Sequence, residues 1–219
     1  MTLADAHGLA RERFSAALIY HPCVEADFAV ELGAEDEALE LPWAAPDGPR
    51  YHDLKRRPEL LLEIEEAQRV PELGEFLAVI NSVVSRFETV KCDAWVSTEI
   101  SPEEEIFGAA CKFGSYVDLV FSAKPARFSF PAHEQGAKQL ALLLKRVPEI
   151  PASAEFLIRR CSYHEDQGVR DGFYITFYLF GYGDDEEDAR LRWAIGLKLV
   201  ENAVRQWSAP ALLSREPEA

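Results

Sequence analysis

The 219-residue chain lacks most of the features that announce a chemistry. Its four cysteines, Cys23, Cys92, Cys111 and Cys161, are nowhere in CxxC spacing, so zinc-knuckle and thioredoxin-type motifs are excluded. Its five histidines, His7, His21, His52, His133 and His164, form neither HExxH nor HxH. There is no GxSxG nucleophile elbow. No apolar run approaches the ~20 residues of a membrane helix. Met1 to Phe14 carries Asp5, His7, Arg11, Glu12 and Arg13 and so lacks the apolar core of a secretory signal. A cytoplasmic compartment with reduced thiols is the expectation. Basic residues are also scarce. Lys+Arg number 23 against 38 Asp+Glu, for a net charge of -15. A chain this acidic repels both nucleic acid and anionic membrane, so neither is an expected partner.

What the chain does have is apolar and aromatic material, 48% and 11% of its residues, enough for a substantial core. Residues 1–50 read as an N-terminal extension, with candidate strands at Phe14–Tyr20 and Asp27–Leu32. An acidic patch (Glu35, Asp36, Glu37, Glu40), three prolines and an Asp47-Gly48 turn signal follow. Trp43 argues for an anchoring contact within this extension. Residues 51–219 read as an α+β domain. Pro58 opens a helix with Leu60, Leu61, Ile64 and Ala67 as its apolar stripe. A second helix follows Pro71, with Leu73, Phe76, Leu77, Ile80, Val83, Val84 and Phe87 at helical period. The cluster Lys55-Arg56-Arg57 sits at the entrance of the first helix and reads as solvated.

Strand periodicity then takes over. Thr89–Ile100 alternates, with Val90, Cys92, Ala94 and Val96 on one face and Lys91, Asp93, Trp95, Ser97 and Glu99 on the other. Ile106–Ser122 gives a second strand that includes Phe107, and Arg127–Phe130 a short third. A helix is predicted over His133–Val147, strands over Ala154–Tyr163 and Gly172–Tyr182, and a last helix from Asp184 to Trp207. Gly181-Tyr-Gly183 is read as the turn into that helix. The phosphate-loop alternative lacks its third glycine and is followed by five acidic residues. The expected fold is α+β: an antiparallel sheet built from two hairpin-plus-helix units, with helices packed on one face.

This element order, from Pro58 to Trp207, resembles the type III secretion chaperone-like fold, whose members are small acidic α+β proteins that dimerise and bind an extended partner segment. The resemblance rests on order and acidity, without a motif, so no functional residue is carried over from it. It implies a binding protein.

The residues themselves point the same way. The strand from Gly172 has Phe173, Ile175, Phe177 and Leu179 on one face and Tyr174, Thr176, Tyr178, Phe180 and Tyr182 on the other. Trp95 and Tyr116 add aromatics to that second face. A strand apolar on both faces needs cover on both. Helices supply one cover; the N-terminal fifty residues, a second subunit or a ligand supplies the other. Trp95, Tyr116, Tyr174, Tyr178 and Tyr182 are therefore the candidate binding residues, for a protein partner or a second subunit. No catalytic residue, metal ligand or cofactor is assigned. The alternative is a small-molecule-binding protein or enzyme with a pocket beside the aromatic face, using Asp93, Glu99, Asp118 or Arg159 as polar groups.

Overall fold

The computed structural model describes residues 24–33, 38–44, 50–145 and 150–209. The candidate strand at Phe14–Tyr20, most of the acidic patch, the Asp47-Gly48 turn, His7, His21 and Cys23 lie outside them. The fold is α+β, with a six-stranded, mostly antiparallel open sheet. Its strands are β1 (Val24–Val30), β2 (Leu39–Leu41), β3 (Phe87–Ser97), β4 (Cys111–Phe121), β5 (Ala152–Glu165) and β6 (Gly168–Gly183). The order across the sheet is β1-β5-β6-β4-β3. β2 pairs with the far end of β5, beyond β1. Both β1 and β2 run parallel to β5, so the sheet is mixed rather than purely antiparallel. Residues 24–30 and 39–41 thus lie in the plane of the same sheet as the rest of the chain.

Among the described residues five α-helices accompany it: α1 (Glu65–Arg69), α2 (Pro71–Ile80), α3 (Lys124–Arg127), α4 (Phe130–Leu144) and α5 (Glu186–Ser208). The stripes of α2, α4 and α5 share one core with one face of the sheet. Leu73, Phe76, Leu140, Leu144, Trp193 and Val200 meet Val117, Phe156 and Phe177 there. α5 begins at Glu186 with Asp185 as its cap, whose carboxylate accepts the Asp188 amide, two residues later than the Asp184 start read from the sequence. Trp193 is wholly buried, and its indole N–H donates to Ser115 Oγ at 2.8 Å.

Several sequence expectations change in the fold. The first helix is a 3-10 segment over Pro58–Glu63, followed by the single short α1. α2 stops at Ile80 because Asn81 takes its backbone out of the helix. The Asn81 side chain donates to Leu77 O (2.8 Å) and to Thr89 Oγ1 (2.7 Å), and accepts from the Thr89 amide (3.0 Å). Val83 and Val84 therefore sit in the following turn, 88% and 77% exposed, and not on a buried stripe. Phe87 opens β3 instead of closing a helix.

The stretch predicted as a third strand is α3 and the entry to α4, where Ser129 caps the helix. Phe107 belongs to a short 3-10 turn, Glu104–Phe107, outside β4. The stretch between the strands predicted over Ala154–Tyr163 and Gly172–Tyr182 is mostly strand as well, since β5 and β6 extend to a tight turn at Asp166 and Gln167. Gly181 and Gly183 are likewise inside β6. They are glycines because α5 crosses there: a Cβ on Gly181 would lie 2.2 Å from the Trp193 nitrogen, and one on Gly183 2.3 Å from the Ala189 nitrogen. Lys55 is not solvated. Its ammonium donates at 2.8 Å to Ser85 O, Phe87 O and Ser122 Oγ, and burial lowers its pKa.

Candidate functional site: the aromatic face of the sheet

The face opposite α2, α4 and α5 is set by side-chain alternation on the long strands. From β4 it receives Lys112, Gly114, Tyr116, Asp118 and Val120, and from β6 Tyr174, Thr176, Tyr178, Phe180 and Tyr182. Register places Tyr116 opposite Tyr178, and Asp118 opposite Thr176. β3 departs from strict alternation. The pairing slips between Thr89 and Cys92, so Val90 and Lys91 together oppose Asp118. This bulge turns Val90 away from the helices, where periodicity had put it, and into a small second core on this face.

Both ends of the face are covered by the chain itself. At one end that second core joins Leu41, Val90, Val120, Cys161, Tyr163 and Tyr174, with Leu39, Trp43, Tyr51 and Phe128 against it. Trp43 is the anchor of the strap from 38 to 44: its indole donates to Val90 O at 3.1 Å, and the Lys91 ammonium lies 4.7 Å from its ring centre. At the other end Phe107 stacks on Tyr182 with ring centres 4.0 Å apart. The Tyr182 hydroxyl is 2.8 Å from both Glu104 Oε1 and Ser153 Oγ. Glu104 also takes Lys112 at 2.7 Å. Burial, outweighed by these donors, leaves the Glu104 carboxyl below its usual range, while burial pushes the Tyr182 hydroxyl up.

Between the covered ends lies a row of half-buried rings. Trp95 is 6.5 Å from Tyr116 and 6.0 Å from Phe180; Tyr116 is 6.1 Å from Tyr178; Tyr178 is 6.4 Å from Phe180. Of the five residues proposed from sequence, Trp95, Tyr116 and Tyr178 are in this row. Tyr174 and Tyr182 are not. They are 8% and 1% exposed, under the strap and under the Phe107 turn respectively. Phe180 completes the row in their place. A ring at 114 is excluded, because a Cβ there would press on both Phe180 and Trp95, at 2.7 and 3.1 Å. Glycine at this point lets the two rings meet edge to face across β4.

The sheet edge beside the row is partly occupied by side chains. The β3 carbonyls of Phe87, Val90 and Ala94 accept from Lys55, Trp43 and Arg69, the last at 2.9 Å. Side chains that occupy edge carbonyls hinder a second chain from extending the ladder there.

The polar candidates separate. Asp93 pairs with Arg69 at 2.6 Å on the β3 edge, and Glu99 lies exposed past the end of β3. Asp118 and Arg159 come together on the face, joined through Thr176. The Thr176 hydroxyl donates to Asp118 Oδ1 at 2.7 Å and accepts from Arg159 at 3.3 Å. Arg159 is held in turn by Glu31 at 2.8 Å. Burial pushes the Asp118 carboxyl up to about 6, against the Thr176 bond and the charges of Lys91 and Arg159. Burial raises Tyr116 and Tyr174 to about 12, with Asp118 the next largest cause, so both hydroxyls are neutral donors.

Among the described residues, no three His, Cys, Asp or Glu side chains are grouped to hold a metal, and no helix is long and apolar enough to cross a membrane. His52 and His164 lie apart, near Glu63 (3.9 Å) and Glu40 (3.5 Å). His133 is buried between the rings of Phe121 and Phe173. Cys92, Cys111 and Cys161 are free thiols. The chain matches no known family model, no curated protein and no solved structure.

Proposed function

We propose that this is a non-catalytic binding protein that takes an apolar segment of a protein partner on the aromatic face of its sheet. The observation that carries the reading is the ring row Trp95–Tyr116–Tyr178–Phe180, half-buried between two covered ends of the same face. Tyr and Trp combine large apolar area with polar tips that tolerate water, and they are enriched where proteins meet. The two covered ends, the strap at 38–44 and the Phe107 turn, bound the row along the strand direction. The capped carbonyls of β3 favour contact through the face over pairing at the edge. The succession of an antiparallel hairpin and a helix, then a second hairpin and a helix, supports the chaperone-like reading, in which a second copy of the chain is one such partner. The acidic surface fits neither nucleic acid nor membrane, and a cytoplasmic setting is part of the proposal.

Tyr178→Asp tests it by placing a charge in the middle of the row. The expected result is loss of binding of an apolar fluorescent dye with circular dichroism and melting unchanged. A fall in sedimenting mass identifies the partner as a second copy. A variant that loses about 1–3 kcal/mol of stability with dye binding and mass unaltered overturns the reading, because the row is then internal packing.

A further inference from the structure

Beside the ring row lies a cleft of about 440 Å³ between the strap and the sheet. Leu39, Trp43 and Tyr174 wall it, Lys91 and Glu40 stand at its sides, and Asp118 lines it from the sheet. The volume is within the range of small-molecule sites. Asp118 is 6% exposed, yet it has no ion-pair partner among the described residues. Its one hydrogen bond there, from Thr176, engages Oδ1. Buried carboxylates are ordinarily paired with a cation or fully hydrogen-bonded.

The charged groups around Asp118 do not fill that role. On β5, Arg159 is tied to Glu31, lies over the Tyr178 ring and donates to the Thr176 hydroxyl, so its charge acts on Asp118 without pairing with it. On β3, the Lys91 ammonium is seated over the Trp43 ring. On β2, Glu40 is near His164. Tyr174 on β6 and Tyr116 on β4 are neutral.

We propose that this cleft binds a primary ammonium group on a short apolar stem, with Asp118 Oδ2 accepting its N–H and the rings of Trp43 and Tyr174 flanking it. A single carboxylate is too few ligands for calcium or magnesium, which take several oxygens. Aromatic walls suit an organic cation, which gains from ring faces as well as from the carboxylate. The raised carboxyl pKa is what an unpaired acid in this setting shows, and a bound ammonium relieves it. The proposal uses none of the four row residues, so it stands or falls separately from the protein-binding reading.

The probe is n-butylammonium, followed by calorimetry and by the indole resonances of the full chain, with 1-butanol as the uncharged counterpart. The expected result is saturable binding with a shift at the Trp43 indole, weakened about tenfold or more in Asp118→Asn, as for loss of a charged hydrogen bond. Lys91→Met removes the competing ammonium and is expected to tighten binding, which keeps the test informative if the Asn variant folds poorly. Affinity is expected to fall between pH 7.5 and pH 5 as Asp118 takes up its proton. An N-acetyl-lysine amide that binds more tightly than butylammonium assigns the site to a lysine of a partner; the reverse order assigns it to a free amine. Equal binding of 1-butanol, undiminished binding to Asp118→Asn, or no saturation at millimolar probe overturns the proposal.

Discussion

A single methyl group placed on Gly181 is expected to unfold a large part of this protein's stability. The added Cβ would lie 2.2 Å from the Trp193 nitrogen, 2.4 Å from the Ala189 oxygen and 2.7 Å from the Trp193 Cα. All three are backbone atoms of α5, so no rotamer change relieves the contact. To restore ordinary van der Waals distance the helix must lift by roughly 1 Å, and a gap of that size forfeits a quarter to a half of each dispersion contact. The contacts at stake are those of Ala189, Trp193, Leu197 and Val200, all buried against the sheet. Overpacking of a core costs about 1–3 kcal/mol, and backbone on the clashing side puts Gly181→Ala at or above the top of that range. Gly196→Ala is the matched control in the same helix. Its Cβ meets only the tip of Leu179, at 3.1 Å, and alanine gains about 1 kcal/mol over glycine in a helix interior. Urea unfolding followed by far-ultraviolet circular dichroism and tryptophan fluorescence compares the two. The expected outcome is a loss of about 3 kcal/mol or more for Gly181→Ala and a near-neutral Gly196→Ala. Equal stabilities would refute the close approach of α5 to β6.

Asp118 also makes a stability prediction that needs no ligand. Its carboxyl titrates near 6 in the fold against an ordinary value of 3.8, so between those values the folded chain binds the proton more strongly than the unfolded one. The wild type therefore loses stability as pH rises from about 4 to about 6, by up to about 3 kcal/mol. Asp118→Asn lacks this slope: denaturation midpoints are expected to coincide near pH 4 and to favour the variant at pH 8, and a parallel pH profile for both proteins would contradict the burial. The thiols supply a second check. Burial raises Cys92 and Cys161 to about 12, leaving almost no thiolate at pH 8. Peptide mass spectrometry after iodoacetamide treatment is expected to find both labelled only after unfolding in urea, and rapid labelling of either in the native protein would count against its packing.

Much of the frame was legible in the chain. Period-two runs placed β3, β4, β5 and β6, and period 3.6 placed α2, α4 and α5, because a core on one face imposes its repeat directly on the sequence. The two apolar faces of β6 marked the aromatic surface for the same reason. What periodicity cannot carry is which neighbour a side chain meets. Tyr174, Tyr178 and Tyr182 are equivalent along β6, yet the strap buries the first, the Phe107 turn buries the last, and only Tyr178 lies in the open row. The bulge at Val90–Lys91 was invisible for a related reason: one extra residue reverses the faces of a strand without changing its composition. Helix ends were displaced where a tertiary bond overrode local pattern, as at Asn81, whose partner Thr89 lies across the turn on β3. The Asp118 cleft depends most on the fold. Asp118, Lys91, Trp43, Thr176 and Arg159 come from separate stretches of chain, and only strand register brings them to one place.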